Sequence, residues 1–205
     1  GTGFEYATAW SFSFGEMSTF FIPSFYGFGG ATYWGNMPFT DYPNYMGIIV
    51  LILAVIGTLF HESKIKWYFL MTGLLALLIS FGKNFFLYEI FYDYFPYFNK
   101  FRVPAMFLIL TQFSTAVLAG MGLDIASKWI TSNQTSDSLK KLAWVVGGCM
   151  FIIIGLKFML AGDPDYGSRS HPLLDKLRAD MLSRDMMKSI LFLFIGSGAF
   201  YMSRM

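Results

Sequence analysis

The stretch PAMFLILTQFSTAVLAGMGL, residues 104–123, decides the fold. It runs without a charged side chain, and at about 1.5 Å of rise per residue a helix of this length matches the roughly 30 Å hydrocarbon core of a bilayer. Pro104 suits a first helical turn, where the N–H it lacks would have no partner. Within the stretch, Gln112, Ser114 and Thr115 read as hydrogen-bond links to neighbouring helices. Ala116 and Gly120, four apart, read as a small-residue pair at which a second helix approaches closely.

Similar apolar blocks lie on either side. Spans are predicted near 45–60, 67–81, 142–160 and 186–202, with Lys157 reaching from the end of the fourth toward the headgroups. Only 61–66 separates the first two, so they form a helical hairpin. Residues 84–99 are crowded with aromatics and set Glu89 and Asp93 on one helical face, the pattern of an interfacial helix ended by Pro96. Leu173, Leu174, Leu177 and Leu182 recur at near-helical spacing among charges, which predicts a second such helix near 170–184. Residues 131–141 read as a polar loop. The fold expected is all-α: a polytopic transmembrane bundle of roughly five spans plus interfacial helices over 45–205, preceded by an extracytoplasmic aromatic and Gly-rich loop region at 1–44.

Composition agrees with lipid as the solvent. Hydrophobic residues make up 55% of the chain and charged ones 14%, against about a quarter charged in ordinary soluble domains; mean hydropathy is +0.51. The aromatic residues gather near the ends of the apolar blocks, where a bilayer meets water. A net charge of +2 is too small to imply a nucleic-acid partner. Cys149 is the single cysteine, so no internal disulfide forms. The chain opens on Gly1 and stops directly after an apolar run, and it reads as an internal fragment. Loops 61–66 and 131–141 are net basic, which puts them in the cytoplasm and puts 1–44, 83–102 and 162–185 outside.

Three stretches carry a family likeness. Glu5-Tyr6-Ala7-Thr8-Ala9-Trp10-Ser11, Phe21-Ile22-Pro23-Ser24-Phe25 and Tyr33-Trp34-Gly35-Asn36-Met37-Pro38-Phe39-Thr40 resemble the large outer loop of the YfhO-like family of bacterial membrane proteins. Ser80-Phe81-Gly82-Lys83-Asn84 and the run from Tyr97 to Ala105 resemble that family's stretch before its next span. The likeness covers the first half of the chain by motif and the second half by hydropathy. It implies a C-type glycosyltransferase-like protein of the bacterial cytoplasmic membrane. Such a protein moves a sugar from a polyprenyl-phosphate-linked donor to a cell-envelope glycan or polymer, with membrane lipids as its surroundings. It also implies that the catalytic carboxylate belongs to a first outer loop lying upstream of this chain.

Several residues fit that chemistry, each beside a plainer reading. Lys83, Lys100 and Arg102 fall at one predicted membrane edge, where they would hold the donor phosphate or merely anchor helix ends to anionic headgroups. Glu16 and Asp41 are the candidate catalytic carboxylates, able to activate an acceptor hydroxyl if partly buried. The alternative has Asp41 shaping a turn before Pro43 and Glu16 solvated or salt-bridged. Trp10, Tyr33 and Trp34 would stack on a sugar ring, or else belong to an interfacial aromatic belt. Glu89 and Asp93 look like an acid–base pair and equally like the wet face of an interfacial helix. His61 and His171 lie far apart with no second ligand at metal spacing, so no metal and no cofactor are expected. Phosphate-binding glycine loops and a nucleophilic serine elbow are missing from the sequence. The other function classes are a lipid or polymer flippase, disfavoured because the spans are nearly free of ionisable groups, and a non-catalytic membrane scaffold.

Overall fold

The computed structural model describes residues 3–131, 135–159 and 169–202. Among them the chain is all helical, with no strand. The helices are α1 (Phe4–Ala7), α2 (Ile48–Phe60), α3 (Ile65–Ser80), α4 (Phe86–Tyr94), α5 (Leu108–Thr131), α6 (Thr135–Met159) and α7 (Pro172–Met202). Short 3₁₀ turns punctuate the connections, and one of them, Pro104–Phe107, leads directly into α5.

Pro104–Thr131, 28 residues, is the one described helix long and apolar enough to cross a membrane. Helices α2 and α3 are apolar, with 13 and 16 residues, or about 20 and 24 Å; α2 is shorter than the span expected over 45–60, while α3 matches the length expected over 67–81 and begins two residues earlier. The physical reason at α2 is Gly47, whose φ of +89° lies outside the helical region and holds 45–47 out of the helix. Two further expectations are corrected. The polar run after Thr131 is not a loop throughout, because α6 is already helical from Thr135. Residues 170–184 and 186–202 form the single helix α7; neither Gly nor Pro interrupts it near the junction, and Asp185 and Lys188 pair across one turn at 3.3 Å. The side chain of Lys157 and residues 203–205 lie outside the described residues.

Helix α5 packs between α2 and α3, while the other face of α2 meets α6 and α7. The α2–α5 crossing is backbone against backbone. A Cβ on Gly57 would overlap the Leu118 carbonyl, and a Cβ on Gly122 would overlap the Leu53 carbonyl. Ala54, Leu118 and Ala119 close in around this contact. The close approach thus uses Gly57 and Gly122, not the expected pair: Ala116 is exposed and Gly120 faces open space. Against α3 the linking hydroxyl is Thr111, whose Oγ1 donates to the Gly73 carbonyl at 3.1 Å. Thr115 bonds within its own helix, to Thr111 O at 2.8 Å, and Ser114 is buried beside Gly73.

On its far face α2 presents Ile48, Ile52 and Ile56, four apart, to Val145, Cys149 and Ile153 of α6 and Met186 and Leu193 of α7. The outer faces stay apolar as well. Trp67, Met71 and Leu75 on α3, Ile109 and Phe113 on α5, Phe151 on α6 and Phe194 on α7 are all exposed.

The two ends of the bundle differ. At one, residues 3–47 fold into a cap whose aromatic core of Phe12, Phe20, Tyr33 and Met37 rests on Phe81 after α3 and Leu108 at the start of α5. At the other, Phe60 meets Trp129 edge-on at 5.2 Å and His61 Nε2 lies 3.7 Å from Asp124.

The crossing predicts a sharp contrast. Gly122→Val should lower the unfolding midpoint in detergent, followed by circular dichroism, by roughly 6–12 °C, equivalent to about 3 kcal/mol of overpacking. Gly120→Ala should leave the midpoint unchanged or slightly higher.

Candidate functional site

The cap organises its polar residues in two layers. The inner layer is a buried knot. Glu16 sits in the 3₁₀ turn Gly15–Phe20 and is 1% exposed. Its Oε2 accepts the Ser13 N–H at 2.9 Å and its Oε1 accepts the Tyr33 hydroxyl. The Tyr33 oxygen in turn accepts the Met37 N–H at 2.9 Å. Gly35 passes so close that a Cβ there would run into both Tyr33 and Glu16. Burial first, then the hydrogen bond and charge of Glu16, push the Tyr33 phenol far above its ordinary pKa; burial and the same carboxylate raise Tyr26. Both phenols therefore stay protonated, and Tyr33 remains a donor to Glu16 at any physiological pH.

Two arginines tie this knot to α7. The Arg169 guanidinium lies 5.4 Å from the centre of the Tyr33 ring and donates to the Tyr33 and Met37 carbonyls at 3.4 and 3.1 Å. Arg178, 3% exposed, donates to Thr32 O and Arg169 O at 2.9 Å, to Ala31 O at 3.2 Å and to Asp175 Oδ1 at 2.8 Å. Asp175 also closes the start of α7, accepting from Ser170 Oγ at 2.7 Å and His171 N at 3.1 Å. Partial desolvation would raise this carboxyl, but those two donors and Arg178 hold it below its ordinary value. Sequence reading passed over both arginines as charges of an interfacial helix. The usable signal was the i, i+3 spacing of Asp175 and Arg178.

The outer layer is a basic and aromatic rim. The N-terminal segment is gripped from two sides. Phe12 N donates to Ser80 O at 3.0 Å, Val103 N to Ala7 O and Ala105 N to Trp10 O, both at 3.1 Å. Lys83 N donates to Ser11 Oγ at 3.0 Å and Asn84 Nδ2 to Phe12 O at 2.8 Å. The two stretches that carry Lys83 and Lys100–Arg102 are thus both bonded to the N-terminal segment, and all three cationic side chains are exposed. Arg102 lies over the Tyr6 ring at 4.9 Å and donates to its hydroxyl at 3.2 Å. Lys100 Nζ lies 5.0 Å from the Tyr97 ring centre. Tyr6 is a rim residue the sequence reading did not single out.

The backbone that delivers Lys100 and Arg102 is strained. Tyr97 and Val103, on either side of them, have φ of +66° and +60°; a positive φ is a genuine outlier for a β-branched residue and costs about 1–3 kcal/mol. Burial of Phe98 against Ile79 and Tyr88 and the Val103–Ala7 bond hold it in place.

The other sequence candidates fall as follows. Tyr33 is 3% exposed and so is not a sugar-stacking surface; its ring belongs to the cap core. Trp10 is half-buried, edge-on to Phe39 at 5.5 Å, and Trp34 is half-buried against Tyr26 at 4.5 Å. Glu16 is 1% exposed and has no ion pair among the described residues, and with both oxygens engaged in the core it offers no face to an acceptor hydroxyl. Asp41 is exposed in a bend. Glu89 and Asp93 are exposed on α4. Among the described residues no group of three His, Cys, Asp or Glu could hold a metal. No family model, curated protein or solved structure matches the chain.

Two outcomes test the knot. Arg178→Met leaves the Ala31, Thr32 and Arg169 carbonyls without their guanidinium donor and Asp175 without its cation, and should cost about 3–5 kcal/mol, read as a loss of thermal stability in detergent. Asp175 is lowered on folding, so its stabilisation is complete above its ordinary pKa of 3.8 and disappears as pH falls through the lower folded value. The stability gap between wild type and Asp175→Asn, present at pH 7, should therefore close in strongly acidic buffer.

Proposed function

We propose that this chain is part of a multi-pass bacterial cytoplasmic-membrane protein, similar to the YfhO-like family. In this reading it acts as a C-type glycosyltransferase, moving a sugar from a polyprenyl-phosphate-linked donor to a cell-envelope glycan or polymer. The apolar outer faces of α3, α5, α6 and α7 support the membrane half of the reading. Their lengths allow α5, α6 and α7 to cross, and α2 and α3 to reach most of the way through as a hairpin beneath the cap.

One observation carries the chemical half. On the rim of the cap Arg102 lies on Tyr6, Lys83 is bonded through its backbone N–H to Ser11, and Lys100 and Arg102 share a stretch whose backbone is strained on both sides. A phosphate at the membrane surface needs such a set: Arg supplies a planar fork and Lys a mobile point charge. Transfer is a direct displacement. The acceptor oxygen bonds to the anomeric carbon, the bond from that carbon to the phosphate oxygen breaks, and the phosphate leaves with the electron pair, stabilised by the cations. The acceptor proton goes to a carboxylate. Within the cap Glu5 and Asp41 are exposed and Glu16 is not, so Glu16 supports the architecture while the base is Asp41, Glu5 or the carboxylate that the family resemblance puts on an earlier outer loop. Trp10 and Trp34, both partly exposed, are the sugar-stacking candidates left after Tyr33 is removed from that role.

In membranes holding the protein and a radiolabelled polyprenyl-phosphate sugar, Lys100→Ala and Arg102→Ala should each lower the sugar transferred by about tenfold or more, as loss of one charge-assisted contact of about 1.5–3 kcal/mol requires. Protein level and helicity should stay as in wild type. Unchanged transfer by the double variant removes the phosphate-holding role.

A further inference from the structure

The far end of the bundle carries a second feature, unrelated to the cap. Helix α6 is flanked there by two apolar depressions. One, about 430 Å³, lies between α2 and α6 against Leu59, Cys149 and Ile152. The other, about 520 Å³, lies on the outer side of α6 against Ala143, Gly147 and Phe151. Trp144 and Gly148 belong to both. Trp144, 83% exposed, stands as a ridge between them, and Gly147 and Gly148 leave open space where side chains would otherwise fill the floor.

Each depression has one lysine at the same end, Lys141 in the first and Lys140 in the second. From Lys141 to Ile152 the helix rises about 16 Å, half the roughly 30 Å hydrocarbon thickness and so the depth of one leaflet. Two parallel apolar troughs one leaflet deep, each opening at a cation, match the form of a two-chain lipid with one anionic head. Lys140 and Lys141 stand beside the troughs. Lys141 Nζ, 5.7 Å from the Phe60 ring centre, is held at the rim of its own.

We infer that α6 carries a binding site for a single anionic glycerophospholipid, its two acyl chains straddling Trp144 and its phosphate between Lys140 and Lys141, in the leaflet opposite the cap. The inference rests on the membrane half of the proposed function and not on sugar transfer. Charge complementarity selects the occupant: a zwitterionic lipid would fill the troughs equally well but gain little from the lysines, each worth about fivefold in affinity near a membrane surface.

The experiment uses the whole chain in nanodiscs of phosphatidylcholine doped with phosphatidylglycerol, with retained lipid measured by native mass spectrometry after release into detergent. Phosphatidylglycerol should be retained in preference to phosphatidylcholine, one molecule per chain, and less so at high salt. Lys140→Gln with Lys141→Gln should weaken its retention by roughly thirtyfold. Gly148→Leu, which fills both troughs and changes no charge, should abolish retention of either lipid. Helicity is followed in parallel, and the Gly148 variant supplies the test should the lysine pair disturb folding. Equal retention of the two lipids, or phosphatidylglycerol binding unmoved by both variants, overturns the site. Full displacement by inorganic phosphate overturns it in favour of a free-anion site, and a dimer that covers Trp144 overturns it in favour of a second copy. Failure of the chain to enter pure phosphatidylcholine nanodiscs would instead overturn the membrane reading.

Discussion

Everything else in the structure hangs on the backbone contact of α2 with α5. Because Gly57 and Gly122 have no side chains, the two helices meet at main-chain distance, and dispersion over many close atom pairs can hold them where an apolar surrounding gives no hydrophobic drive. With α2 seated so deeply, its opposite face of Ile48, Ile52 and Ile56 reaches α6 and α7 together. Helix α5, leaning on α3 from its other side, starts at the level of Phe81 and Leu108, on which the cap rests.

The cap then depends on charges that never meet solvent. Arg178 ties four oxygen atoms from the cap turn, the approach to α7 and its own first turns into one cluster, and Glu16 does the same for Ser13 and Tyr33. Buried polar groups of this kind add little net stability over apolar ones but are costly to break. Their effect is to fix one arrangement of a segment whose Gly, Pro and aromatic content would permit many. The rim inherits that rigidity, since the N-terminal segment bonded to Val103 and Ala105 is the one whose next turns enter the knot.

The two candidate regions differ in how they are made. The rim gathers cations from distant stretches onto a strained, well-braced backbone, an arrangement that suits an anion arriving from outside. The α6 troughs gather no distant charge; they follow from two glycines, one tryptophan and two lysines within a few turns of α6, with α2 walling one of them. On the proposed reading the first handles substrate and the second handles solvent, the solvent being lipid.

Helical class and apolar surface were legible from the sequence, because charge-free runs and the 3.6-residue period are local properties. So were the stretches that build the rim, since Lys83, Lys100 and Arg102 lie in motifs recognisable along the chain. Partner choice was not legible. Ala116 and Gly120 have the same spacing and residue sizes as a true crossing, and only packing against α2 turned Gly122 inward and left Gly120 outside. Tyr33 and Glu16 read as a sugar platform and a base because nothing local distinguishes an aromatic or acid facing a cleft from one facing a core. Three-dimensional closure of the cap, with Arg169 and Arg178 arriving from more than a hundred residues away, decided that both face inward. What a residue is belongs to the sequence, and what it meets depends on contacts between segments whose separation along the chain carries no signal of their distance in space.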